Sequence, residues 1–133
     1  MSDPIHVIVC EENPLHRAMI TDTLNEQEDV TVTGSYSSGG QTLDALAAGE
    51  LADVLLIDGQ MQGMDGWDTT RLILQQRPGT AVLILSSTDS ADAVTRAQEA
   101  GARGYPLKSV SPARLVEIVR SLAAGEPGFF GPK

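Results

Sequence analysis

The sequence predicts a doubly wound α/β domain: a five-stranded parallel sheet of order 2-1-3-4-5 with helices on both faces. Two apolar runs, Val54 to Ile57 and Ala81 to Leu85, lack the alternation of a half-solvated strand, as the inner strands of a parallel sheet do. Strand-like and helix-like segments alternate along the chain, which calls for right-handed crossovers. The first of those runs stops at Asp58 and a glycine-bearing loop to Gly66 follows, where open α/β sheets place ligands beyond the carboxyl ends of their strands. Taken alone, Asp58 also fits a cap for the next helix.

Each element has a local reason. Ile5 to Cys10 reads as the first strand, broken by Glu11, Glu12, Asn13 and Pro14. Asn13 can accept from free helix amides and Pro14 suits a first helical position, so a helix is expected from about Pro14 to Glu26. Leu15, Ala18, Met19, Ile20 and Leu24 give it an apolar stripe. Val30 to Tyr36 alternates as the second strand, and a turn at Gly39-Gly40 leads to a helix over Thr42 to Ala48. After the third strand, Trp67 to Gln75 reads as a helix closed by Pro78-Gly79. The fourth strand ends in Ser86-Ser87-Thr88, and a helix over Asp89 to Ala100 ends at Gly101, a C-cap. Gly104 to Leu107 reads as a short fifth strand at the sheet edge, where the amide missing at Pro106 is tolerable. Ser111-Pro112 opens a last helix to about Ala124, whose Leu115, Ile118, Val119 and Leu122 face the core.

Length and composition bound the function. At 133 residues the chain fits one domain that buries a single core without staples. Nine basic residues against 18 acidic, with no basic run, argue against direct nucleic-acid or anionic-membrane contact, because phosphate binding is driven by clustered positive charge. The one cysteine, Cys10, has no internal partner and reads as a small core residue; with no leader or apolar span, a soluble, cytoplasmic setting is expected. Trp67 reads as packing, and His6 and His16 as non-catalytic, neither having a second ligand at metal spacing.

The strand ends supply a constellation. Glu11 and Glu12 leave the first strand, Asp58 the third, Ser86 or Ser87 the fourth and Lys108 the fifth. In this strand order three carboxylates converge, and their repulsion raises at least one pKa unless a cation sits among them. Mg²⁺, which prefers a few carboxylates plus waters, is the natural occupant. The same group suits a phosphoryl acceptor: Asp58 as nucleophile forming an acyl phosphate, a serine hydroxyl donating to it, and metal and Lys108 offsetting its charge.

On these residues the chain resembles the response-regulator receiver family, CheY-like in fold, across essentially residues 5 to 124. The resemblance rests on Glu11-Glu12, on Asp58 followed by Met61, Met64, Asp65 and Gly66, on Ser86, and on Gly101-Ala-Arg-Gly-Tyr105 ahead of Lys108. It implies that Asp58 accepts phosphate from a sensor histidine kinase and that Ser86 and Tyr105 form a switch. It also implies that Glu11, Glu12, Asp58 and the main-chain carbonyl of Gln60 hold Mg²⁺, while the side chains of Gln60 and Thr88 tune phosphate lifetime. The Glu-Glu pair, where the family usually has an Asp, predicts weaker Mg²⁺ binding; Gln62 stands where the family usually has Pro. A phosphorylation-independent receiver acting as an interaction or ligand-binding module is the alternative reading. A flavin protein fits poorly, because the first loop lacks a phosphate cradle.

Asn13-Pro-Leu-His-Arg17 and Ser109 after Lys108 lean toward the NarL/FixJ subgroup. The expected organisation is a receiver over 1–124 and, over 125–133, the start of a linker toward a helix-turn-helix DNA-binding domain outside this chain. A free-standing receiver is the lesser reading. Phe129 and Phe130 are expected to lack their normal neighbours, and a homodimer is expected without a choice of surface.

Overall fold

The computed structural model describes residues 3–132. Its order is β1 (Ile5–Cys10), α1 (Pro14–Asn25), β2 (Val30–Tyr36), α2 (Gly39–Ala47), β3 (Val54–Asp58), α3 (Gly66–Gln76), β4 (Ala81–Leu85), α4 (Ala91–Ala100) and α5 (Pro112–Ala123). The four strands form a parallel sheet of order β2-β1-β3-β4, the doubly wound arrangement.

Because successive strand side chains point to opposite faces, β1, β3 and β4 feed two cores. Val7, Val9, Val54, Leu56, Leu83 and Leu85 meet α1 and α5 on one side. On the other, Ile8, Ile57, Val82 and Ile84 meet Leu46 of α2, Trp67 and Ile73 of α3 and Ala97 of α4. Val54 to Ile57 and Ala81 to Leu85 are buried throughout, which explains their unbroken apolar runs. Among the described residues no helix is long and apolar enough to cross a membrane.

The expected fifth strand is reduced to isolated parallel bridges, Leu83 with Gly104 and Ser86 with Leu107. Arg103 donates to Val82, Ile84 to Gly104, Ser86 to Pro106 and Lys108 to Ser86, all main chain to main chain. Pro106 has no amide to give, so the ladder is interrupted midway.

Nor is this segment the bare edge of the sheet. Gly125 and Gly128, both at positive φ (77° and 104°), turn the chain back after α5. Phe130 then bridges Gly104 in parallel, its oxygen accepting from the Tyr105 amide at 2.7 Å. Phe129 packs on the α3–α4 core and Phe130 on the α1–α5 core, so the two aromatics have neighbours after all.

Two helices differ from expectation. The stripe on α1 is narrower: Ile20 and Leu24 are buried, whereas Leu15 is 79% and Met19 62% exposed and Ala18 is also exposed. The helix rests on one edge, so apolar residues a third of a turn away reach water. α2 begins at the glycine pair read as a turn, with Ser38 capping it through the Gln41 amide at 3.2 Å. A Cβ on Gly39 would lie 2.5 Å from Thr69 Oγ1, so this glycine permits close approach of α2 to α3.

Candidate phosphoacceptor site

The pocket is built from the carboxyl ends of β1, β3 and β4 and the segment before α5. Asp58 closes β3, is 3% exposed, and places Oδ1 2.8 Å from the Lys108 ammonium; the Gln60 amide donates to the same oxygen at 3.0 Å. The turn into α3 sits tight beneath it. Asp65 caps α3 through the Asp68 amide at 2.8 Å, and a Cβ on Gly66 would collide with the Asp58 carbonyl.

Glu11, 1% exposed, faces Asp58 across the same ammonium, its Oε1 3.3 Å from Lys108 Nζ. Asn13 caps α1 through the amides of Leu15 and His16, and this turn brings the Asn13 amide 3.0 Å from Glu11 Oε2. His16, expected to be a bystander, presents Nδ1 2.5 Å from Glu11 Oε1, and Arg17 donates to the Glu11 carbonyl at 2.7 Å. The available signal was helical: side chains in a first turn lean toward the amino end, which carries positions 16 and 17 back over residue 11.

Glu12 lies apart. Its Oε1 accepts from the main-chain amide of Gln62 at 3.1 Å, so it clasps the loop after β3. A proline at position 62 would have no amide to offer. Among the described residues no three His, Cys, Asp or Glu side chains lie together in a metal-binding group. The donors Glu11 and Asp58 nevertheless fit a hard cation. Both are carboxylates, both converge on one ammonium, and Mg²⁺ is commonly held by one or two carboxylates plus waters.

The electrostatics follow. Burial pushes the Asp58 carboxyl up, its hydrogen bond with Glu11 adds to this, and Lys108 offsets part, leaving it at about 6. Burial also pushes Glu11 up, but hydrogen bonds with Asp58, His16 and the Asn13 amide, with Lys108 nearby, outweigh it and hold it at about 2. Two close acids are thus driven apart, Glu11 keeping the charge. Burial raises Cys10 to about 11, as befits a core thiol.

Ser86, directly after β4, is fully buried; its Oγ accepts from Gln60 Nε2 at 2.7 Å and from the Thr88 amide at 3.2 Å. Ser87 is exposed, its amide and hydroxyl reaching Gln60 Oε1. Tyr105 is buried with its ring inward, 5.9 Å from Trp67, and its hydroxyl has no partner at full hydrogen-bond geometry among the described residues. Burial raises its phenol, with neighbouring Ser86 offsetting part of this. Trp67 lies over Gly59 and donates from Nε1 to the Ala93 carbonyl at 3.1 Å, the packing role expected of it. A cleft of about 460 Å³ around His6, Leu51 and Arg77 lies at the amino ends of the strands, away from this chemistry.

The fold and site define a doubly wound α/β domain with buried carboxylates, a hydroxyl and an amine at the carboxyl rim of its sheet. The chain belongs to the response regulator receiver domain family, whose model matches residues 7–120. It is 35% identical over 127 residues to the uncharacterized transcriptional regulatory protein YxjL of Bacillus subtilis, covering 96% of this chain and 58% of that protein. It is 28% identical to the nitrate/nitrite response regulator protein NarL of Escherichia coli K12, covering 93% of this chain and 57% of the relative. The chain therefore spans less than two thirds of these relatives. The signal receiver domain of the putative response regulator NarL from Mycobacterium tuberculosis superposes with a TM-score of 0.88 at 30% identity, covering 94% of this chain and all of that domain.

Proposed function

We propose that this receiver takes a phosphoryl group on Asp58 from a sensor histidine kinase and thereby controls a C-terminal DNA-binding domain in cytoplasmic transcription regulation. The observation that supports this best is the buried Asp58 carboxylate with Lys108 Nζ 2.8 Å from its Oδ1. An Asp58 oxygen attacks phosphorus, the bond from phosphorus to the donor nitrogen breaks, and the donor imidazole leaves with that electron pair. Lys108 stays beside the new acyl phosphate as a fixed positive charge, and the Ser86 hydroxyl would donate to a phosphoryl oxygen. Hydrolysis returns the carboxylate when water attacks the same phosphorus. Glu11, Asp58 and the Gln60 carbonyl would hold Mg²⁺, with Glu12 joining them once released from the Gln62 amide, and the ion would supply charge neutralisation on the transferring group. Ser86 and Tyr105 form the switch, two packings of one surface exchanging in population. The homodimer is also part of this reading.

Incubation with acetyl phosphate and Mg²⁺, followed by intact mass, tests the proposal. A phosphoryl adduct that disappears in the Asp58→Asn variant is expected. A folded protein without an adduct would favour a phosphorylation-independent interaction module instead.

A further inference from the structure

The chain after α5 is more than a trailing linker. Glu126 to Phe130 returns along the sheet edge, so Gly104–Leu107, α5 and Phe129–Phe130 make a strand–helix–strand crossover with a rudimentary last strand. We propose that residues 126–130 are an intramolecular strap that occupies the sheet edge at Arg103–Tyr105 and holds Tyr105 in its inward position.

Independent contacts converge on the residues flanking that ring. The Tyr105 amide donates to the Phe130 carbonyl at 2.7 Å, and the Phe130 amide donates to the Arg103 carbonyl at 3.0 Å. Arg103 Nη2 donates to the Glu126 carbonyl at 2.6 Å, so the residue before Gly104 is tied by main chain and side chain. Phe129 packs on the same core cluster as the Tyr105 ring. Phe130 packs on the opposite cluster, with the Arg114 guanidinium of α5 5.8 Å from its ring centre.

Glycine makes the approach possible. A Cβ on Gly104 would stand 2.9 Å from the Phe130 carbonyl oxygen and 3.1 Å from its Cβ. The strap thus takes up the amide and carbonyl that a bare edge would leave to water, and it covers the edge against pairing with another chain. Coupling of this kind is reciprocal: whatever turns Tyr105 outward loosens the strap, and loosening the strap frees Tyr105 to the same degree. Through it, a change at the switch reaches whatever polypeptide follows residue 130. That last link rests on the phosphoacceptor reading; the strap itself does not.

The test uses the unphosphorylated full chain, so its outcome is separate from whether Asp58 takes phosphate. Gly128 sits at φ 104° with open space where a side chain would go, so Gly128→Val strains only the return turn. Amide exchange by NMR reads the strap, and emission of Trp67, the only tryptophan, reads the tyrosine 5.9 Å away. Gly128→Val is expected to speed exchange of the Tyr105 amide by about tenfold or more and to change Trp67 emission, with Val9 and Leu56 amides unchanged. The Phe129→Ala, Phe130→Ala double variant should do the same without altering the backbone of the turn. Tyr105 exchange at the parent rate in both, or emission unchanged while exchange rises, overturns the proposal. Acceleration of all amides together in both variants also overturns it, since the segment would then be part of the global fold and not a strap.

Discussion

Glu12 reaches across to the loop after β3, its Oε1 3.1 Å from the main-chain amide of Gln62. A long acid and a residue that keeps its amide therefore meet in one hydrogen bond. Replacing Gln62 by proline removes the donor and releases Glu12 toward Glu11 and Asp58. Mg²⁺ affinity, followed by titration calorimetry, is expected to tighten by about fivefold, the worth of one such bond. An unchanged affinity would show that Glu12 is not withheld from the ion by this contact.

Asp58→Asn should stabilise the metal-free fold near neutrality. The folded carboxyl is raised from its ordinary 3.8 to about 6, so the folded chain holds the proton more tightly and ionisation lowers stability as pH climbs through that interval. The amide cannot ionise and escapes this loss. The gain, by urea unfolding in EDTA, is expected to be about 3 kcal/mol at pH 7.5 and to vanish near about pH 3, where Asp58 is protonated in both folded and unfolded parent. A gain that does not depend on pH would contradict the assignment.

His16→Ala acts in the opposite range. The Glu11 carboxyl is held at about 2 against an ordinary 4.5, so its contribution is present above 4.5 and lost as pH falls toward 2. Without the His16 contact that depression shrinks. Acid unfolding followed by circular dichroism should begin at higher pH, with about 1–2 kcal/mol lost at pH 7. His16→Gln, which can still donate, should recover part of the loss; no recovery would mean the ring acts only by packing.

Gly66→Ala probes the floor of the pocket. The new methyl must displace the Asp58 carbonyl or the start of α3, at a cost of about 3 kcal/mol or more. Gly79→Ala, in open space, is the control and should change stability by less than about 0.5 kcal/mol in the same denaturant series. Similar losses at both positions would refute the close approach.

The order of the four strands and the covering of both sheet faces were legible because the inner strands carry apolar residues on every position and the helices carry explicit starts, Asn13-Pro14 and Ser111-Pro112; the single core expected is two clusters, one on each face. The convergence of Glu11, Asp58, Ser86 and Lys108 followed from strand order alone. What the sequence hid depends on direction or on distant pairing. Leu15 and Met19 fit an apolar stripe, but which edge of α1 meets the sheet is set by packing. His16 had no metal-spaced partner, so its turn toward Glu11 left no motif. Glu12 was grouped with Glu11 because adjacency in the chain says nothing about opposite side-chain directions after a strand. The pairing of Phe130 with Gly104 joins positions separated by a whole helix, and no local pattern marks it.

Lys108 is fastened at both ends: its amide donates to the Ser86 carbonyl at 2.8 Å, while its ammonium spans Asp58 and Glu11. The pocket's cation is consequently a crossbar between neighbouring strands, not a free arm. Attempts to retune this domain by exchanging single residues at one strand terminus will shift the others with it, so the rim has to be redesigned as one unit.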